Sequence, residues 1–95
     1  MAKKPTKDES RHYQAVLALG CVACRKMGYF TPDCEIHHIS NGTMGKKASN
    51  YEVIGLCHTH HRTGGYGVAV HAGRKAWEAI YGTEQELLND VMSKV

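Results

Sequence analysis

The 95-residue sequence predicts a single α+β domain, with helices towards both ends and two short strands between them. Three observations predict it. Apolar residues recur at helical spacing in segments 9–19 and 74–81 and again at Leu87, Leu88, Val91 and Met92. Two short apolar runs, 35–39 and 51–56, have strand length and are bounded by turn-forming residues. Cysteines and histidines gather in pairs beside those runs, at Cys21-x-x-Cys24 and Cys57-x-x-His60.

The elements follow in chain order. Residues 1–8 read as a disordered basic tail, and the domain proper as 9–95. The first helix spans 9–19, capped by Ser10 or Asp8, with Tyr13, Val16 and Leu17 on one face and Gly20 as its stop. Residues 21–28 form a turn. A strand lies around Glu35-Ile36-His37-His38-Ile39, and a loop rich in Gly, Ser, Asn and Lys covers 40–50. A second strand, Tyr51 to Leu56, runs into a tight turn or short helix at Cys57 to His61. After a Gly-rich loop at 63–67, Arg74 to Tyr81 is a helix with Trp77, Ile80 and Tyr81 facing inward, stopped by Gly82. Thr83-x-x-Glu86 is a capping box for a last helix that buries Leu87, Leu88, Val91 and Met92.

A chain this short buries little apolar surface, and only 42% of its residues are hydrophobic and 7% aromatic, so it needs a staple. The charged start and the lack of any apolar run near the roughly 18 residues of a membrane span point to a cytoplasmic protein with no membrane partner. There, Cys/His clusters more often bind metal than form disulfides. Two clips of two ligands each, Cys21 with Cys24 and Cys57 with His60, make a tetrahedral set suited to structural Zn2+. A redox CxxC would want a βαβ context, which the pattern lacks.

His12, His37, His38, His58, His61 and His71 remain, together with Cys34. His12 is an ordinary helix residue. The His37-His38 pair, His61 one step past the second clip, and His71 beyond the Gly-rich loop suggest a second centre, histidine being the natural proton acceptor near neutral pH. Cys34, His37, His61 and His71 would also suffice for a second closed zinc site, which would make the chain a non-catalytic module that binds nucleic acid or protein. The net charge of +3 permits nucleic-acid binding; Lys46, Lys47 and Arg62 flank the histidines in sequence and are the first candidates for phosphate contacts, with Arg74 and Lys75 next.

The order of clip, His37-His38-Ile39, Asn-bearing loop, and Leu56-Cys57-x-x-His60-His61 resembles the HNH nuclease superfamily. The closer resemblance is to the recombination enhancement function (Ref) family of phage nucleases. It runs from about Tyr13 to Leu88 and includes the first clip, Glu35 to Ile39, Leu56 to His61, Gly67-Val68-Ala69-Val70-His71, Tyr81-Gly82 and Leu87-Leu88. The resemblance implies a treble-clef-like zinc knuckle with a ββα-metal core and flanking helices. It implies His37 and His61 as ligands of a second divalent metal, joined by His71 and Cys34, with His38 as general base and Asn50 as the residue that orients it. That metal would be Mg2+ or Mn2+ in turnover, or Zn2+ as purified. The implied activity is a phage- or prophage-encoded, metal-dependent DNA endonuclease linked to recombination in the bacterial host cytoplasm. Its implied partners are DNA and a recombinase filament.

Overall fold

The computed structural model describes residues 4–39 and 49–95. Lys46 and Lys47 lie outside the described residues. The order of elements is α1 (Lys7–Ala18), α2 (Val22–Lys26), β1 (Cys34–His38), β2 (Val53–Cys57), a wide helical turn at Thr59–Thr63, a single 3-10 turn at Val70–Ala72, α3 (Arg74–Tyr81) and α4 (Glu84–Met92). The expected α+β architecture, with helices outnumbering strands, is present.

Helix α1 starts earlier than its apolar spacing suggests, because Thr6 rather than Asp8 or Ser10 caps it. The Thr6 hydroxyl accepts from the Glu9 amide at 3.1 Å while the Glu9 carboxylate accepts from the Thr6 amide at 2.8 Å. That reciprocal pair satisfies two otherwise orphan donors, whereas a cap further along would leave the first turn open. The same device, Thr83 with Glu86, opens α4 as expected.

Gly20 ends the first helical segment with φ +77°, and a Cβ there would stand 2.9 Å from the Thr31 carbonyl oxygen. The chain can therefore reverse tightly and let Cys21 donate its amide to that carbonyl at 2.9 Å. The segment expected to be a plain turn holds the five-residue helix α2, with Cys21 at its N-cap.

Strands β1 and β2 form a two-stranded antiparallel sheet in which Cys34 faces Cys57, His37 faces Ile54 and His38 faces Val53. Every residue of β2 is buried. Helices α1, α2 and α4 all pack on it, so its sequence Val-Ile-Gly-Leu-Cys is apolar throughout rather than alternating. The core gathers Val16, Val22, Val53, Ile54, Leu56, Trp77, Leu87 and Val91 around that strand. Two expected core residues are not there: Ile80 is 63% exposed and Met92 46%. In α3 the buried face is set by Trp77 and Tyr81, four apart, whose rings lie 5.2 Å from one another. Ile80 lies off that stripe, and Met92 is the last residue of α4, where the helix runs out past the core. An ion pair at 2.5 Å between Arg25 of α2 and Asp90 of α4 ties the first clip to the C-terminal helix. No helix among the described residues is long and apolar enough to cross a membrane.

Candidate metal centres and histidine site

The two clips meet. Cys21, Cys24, Cys57 and His60 are all buried, and their ligand atoms lie within 4.8 Å of one another. All four cysteines are free thiols. The Cys24 and Cys57 sulfurs are 3.8 Å apart, and His60 Nδ1 lies 3.6, 3.4 and 3.1 Å from the sulfurs of Cys21, Cys24 and Cys57. Tetrahedral zinc, with its metal–ligand lengths, would set edges of roughly 3.8 Å between sulfurs and roughly 3.5 Å between sulfur and nitrogen. The cavity therefore has the size and the donors for such an ion. Burial pushes the Cys21 thiol up to about 12 and holds His60 below its ordinary value. A neutral imidazole is ready to ligate, and a cation is what would make thiolates tolerable in this pocket. The four residues can bind a metal ion, consistent with zinc.

Local structure explains how. Cys21 precedes α2 and Cys24 lies one turn into it, with its amide on the Cys21 sulfur at 3.4 Å. Cys57 ends β2. The next turn closes through a hydrogen bond from Gly64 back to Thr59 at 2.9 Å, an i to i+5 span wider than an α-turn. A Cβ on Gly64 would lie 2.6 Å from the Thr59 oxygen, so the turn can close only with glycine there. On this turn His60 points into the cysteine cluster while His61, its neighbour, joins a different one.

That second cluster is His37, His61 and His71, whose ligand atoms also lie within 4.8 Å of one another. His61 Nε2 and His71 Nε2 are 2.9 Å apart. The rings of His61 and His71 stand 5.1 and 5.0 Å from that of His37. His71 is held below its ordinary value by burial first, then by His37 and His61. Imidazoles brought this close are suited to sharing a divalent ion.

Cys34 does not join them, contrary to the sequence expectation. Side chains alternate along a strand, so Cys34 and His37, three apart on β1, leave on opposite faces. The Cys34 sulfur instead donates to the Thr31 carbonyl at 3.0 Å. Among the described residues the cluster thus has three members rather than four.

The same alternation separates His37 from His38. His37 is buried in the cluster, whereas His38 is exposed at the end of β1. His38 Nε2 lies 2.8 Å from Asn50 Oδ1, and the Tyr13 hydroxyl is 3.3 Å from the same nitrogen. His12 bonds the Tyr51 carbonyl at 3.1 Å and takes no part in either cluster.

Two carboxylates that motif reading passed over support the histidines. Glu35 accepts from His61 Nδ1 at 2.8 Å and from Arg62, and lies 3.1 Å from His58 Nδ1. The hydrogen bond from His61, followed by that from Arg62, holds its carboxyl down to about 2. Strand alternation was a signal for it, because Glu35 and His37 share a face of β1. Arg62, a sequence candidate for phosphate contact, keeps 57% of its side chain exposed while it pairs with Glu35. Arg74 pairs with Glu78 at 3.3 Å. Glu84, only 2% exposed, lies with Oε2 2.6 Å from His37 Nε2. It is the first residue of α4, where the aligned backbone dipoles favour negative charge. No short-range pattern pointed to it, since 47 residues separate the two partners.

Fold and site together define a small α+β domain with one buried cysteine-rich cluster able to bind a metal ion and one cluster of three histidines. The chain matches, over residues 5–95, the family described as recombination enhancement, RecA-dependent nuclease, and it belongs to that family. The family name makes it a nuclease, hence a hydrolase, connected with recombination.

Proposed function

We propose that the chain is a metal-dependent DNA endonuclease of HNH type, in which β1, β2 and the turn that follows form the ββα-metal core. The observation that carries the reading is His38: exposed, adjacent in sequence to a ligand of the three-histidine cluster, and held by an amide oxygen at 2.8 Å. With its Nε2 proton donated to Asn50 Oδ1, His38 keeps a lone pair on Nδ1 to take a proton from water. A scissile phosphate lying across the end of β1 would be reached by His38 from one face and by the cluster from the other. When bound to His37, His61 and His71, a divalent ion would supply Lewis acidity at the phosphate and the leaving oxygen. Glu35 orients His61 and holds Arg62 at the rim, where a guanidinium suits phosphate. Three ligands rather than four leave a coordination position open, which is the catalytic pattern of such sites. Mg2+ or Mn2+ would serve in turnover and Zn2+ as purified, with Zn2+ in the cysteine centre.

By the same reading the enzyme is phage or prophage encoded and acts on DNA in concert with a recombinase filament in the bacterial cytoplasm. Lys46 and Lys47 remain candidates for phosphate contact.

The test is His38→Ala, assayed with Mg2+ or Mn2+ on single-stranded, duplex and recombinase-coated DNA. The variant should keep its fold and its metal yet lose about 10²–10⁴-fold in cleavage rate, the usual contribution of a general base. Cleavage at the wild-type rate would remove His38 from the reaction. Wild-type protein that cuts none of these substrates would favour a non-catalytic zinc module.

A further inference from the structure

We propose that Glu84 is a positioning residue for the second metal centre: its carboxylate accepts the Nε2 proton of His37 and so leaves Nδ1 as the nitrogen that ligates. The inference rests on the reading of His37, His61 and His71 as metal ligands. Imidazole ligates through one nitrogen, and the hydrogen bond at the other decides the tautomer and the ring orientation. His61 shows the pattern within the same cluster. Its Nδ1 is taken by Glu35 at 2.8 Å, and its Nε2 is turned to His71 at 2.9 Å. His37 has the mirror arrangement, with Nε2 on Glu84 at 2.6 Å.

The surroundings make the Glu84 contact a fixed one. His37 is 6% exposed and Glu84 2%, so water does not compete for the bond. Glu84 is anchored at the start of α4, which the Thr83–Glu86 capping box secures, and its amide donates to Glu78 Oε2 at 2.8 Å. The C-terminal helix, remote in sequence from both clips, thereby reaches the metal centre through one carboxylate.

Two readouts test this on the full chain with the cysteine centre loaded. In 15N-histidine-labelled wild type, long-range 1H–15N correlation spectra should show a proton on His37 Nε2. Glu84→Gln should weaken that tautomer preference and lower Zn2+ or Mn2+ affinity at the second centre by about 10–100-fold, the usual effect of losing such a partner. Metal at Cys21, Cys24, Cys57 and His60 should be unchanged. A wild-type His37 protonated on Nδ1, or unchanged affinity in folded Glu84→Gln, overturns the inference alone. Wild type that takes up no second metal overturns the reading of the cluster and this inference with it. If Glu84→Gln fails to fold, the wild-type tautomer and the conservative Glu84→Asp variant decide, since the retained carboxylate should keep the Nε2 proton in place.

Discussion

His37 and His38 are consecutive, yet one is buried among imidazoles and the other is exposed beside an amide and a phenol. Pleating alone accomplishes this. The same rule removes Cys34 from the histidine cluster, so Cys34→Ser should leave the metal content of the protein unchanged. It should cost under about 1.5 kcal/mol, because a hydroxyl can donate to the Thr31 carbonyl as the thiol does. His61→Ala should behave differently, losing the second metal while the cysteine centre stays loaded; metal analysis of the purified variants separates the two outcomes. The cysteine clips were legible in the sequence because both ligands of each clip are fixed by local spacing. The place of Cys34 was open to the same reading once β1 was recognised, but spacing without strand parity misassigns it. Glu84 was not legible, since its partner is brought to it only by the packing of α4 on β2.

Among the elements, α3 and α4 were legible because a glycine stop and a capping box mark their ends. Helix α2 was not, because its five residues are too few to show a period. The wide turn at Thr59–Thr63 has no sequence signature of that kind. Gly20 is the element boundary most open to attack. Gly20→Ala forces a side chain into a positive-φ site and within 2.9 Å of a backbone oxygen. The expected loss is about 1–3 kcal/mol, read as a lowered denaturation midpoint. The Arg25–Asp90 bridge joins α2 to α4, and each side chain keeps about a third of its surface in water. Asp90→Asn should therefore cost no more than about 1 kcal/mol. The Asp90 carboxyl is held below its ordinary value by its hydrogen bond from Lys94, then by Arg25. A depressed folded-state value means the contribution is present above the unfolded carboxyl range, near pH 3.9, and disappears as pH falls through the folded value. The variant and wild type should accordingly converge in stability under strong acid and differ at neutral pH.

For the whole molecule, the core is thin and centred on one strand, so the cysteine centre is expected to contribute a large share of the folding free energy. Prolonged chelation, or Cys57→Ser, should abolish cooperative unfolding monitored by circular dichroism. Retention of a sharp transition without metal would show that the apolar core suffices. If the enzyme grips DNA through phosphates, affinity should fall steeply with salt. The Lys46→Ala, Lys47→Ala double variant should then lower the salt slope by about one per lysine without altering sequence preference. An unchanged slope would move the contact surface to another face.

The turn at Thr59–Thr63 places His60 in the cysteine cluster and His61 in the histidine cluster, with nothing but a peptide bond between them. Under the proposed nuclease reading, the scissors would be armed by their own rivet. A chain whose cysteine centre is empty would lose that fixed neighbour and hold His61 through Glu35 and His71. By that reading loading order would serve as a safety catch: added ions should fill the cysteine centre first, and cutting should appear only after it is full.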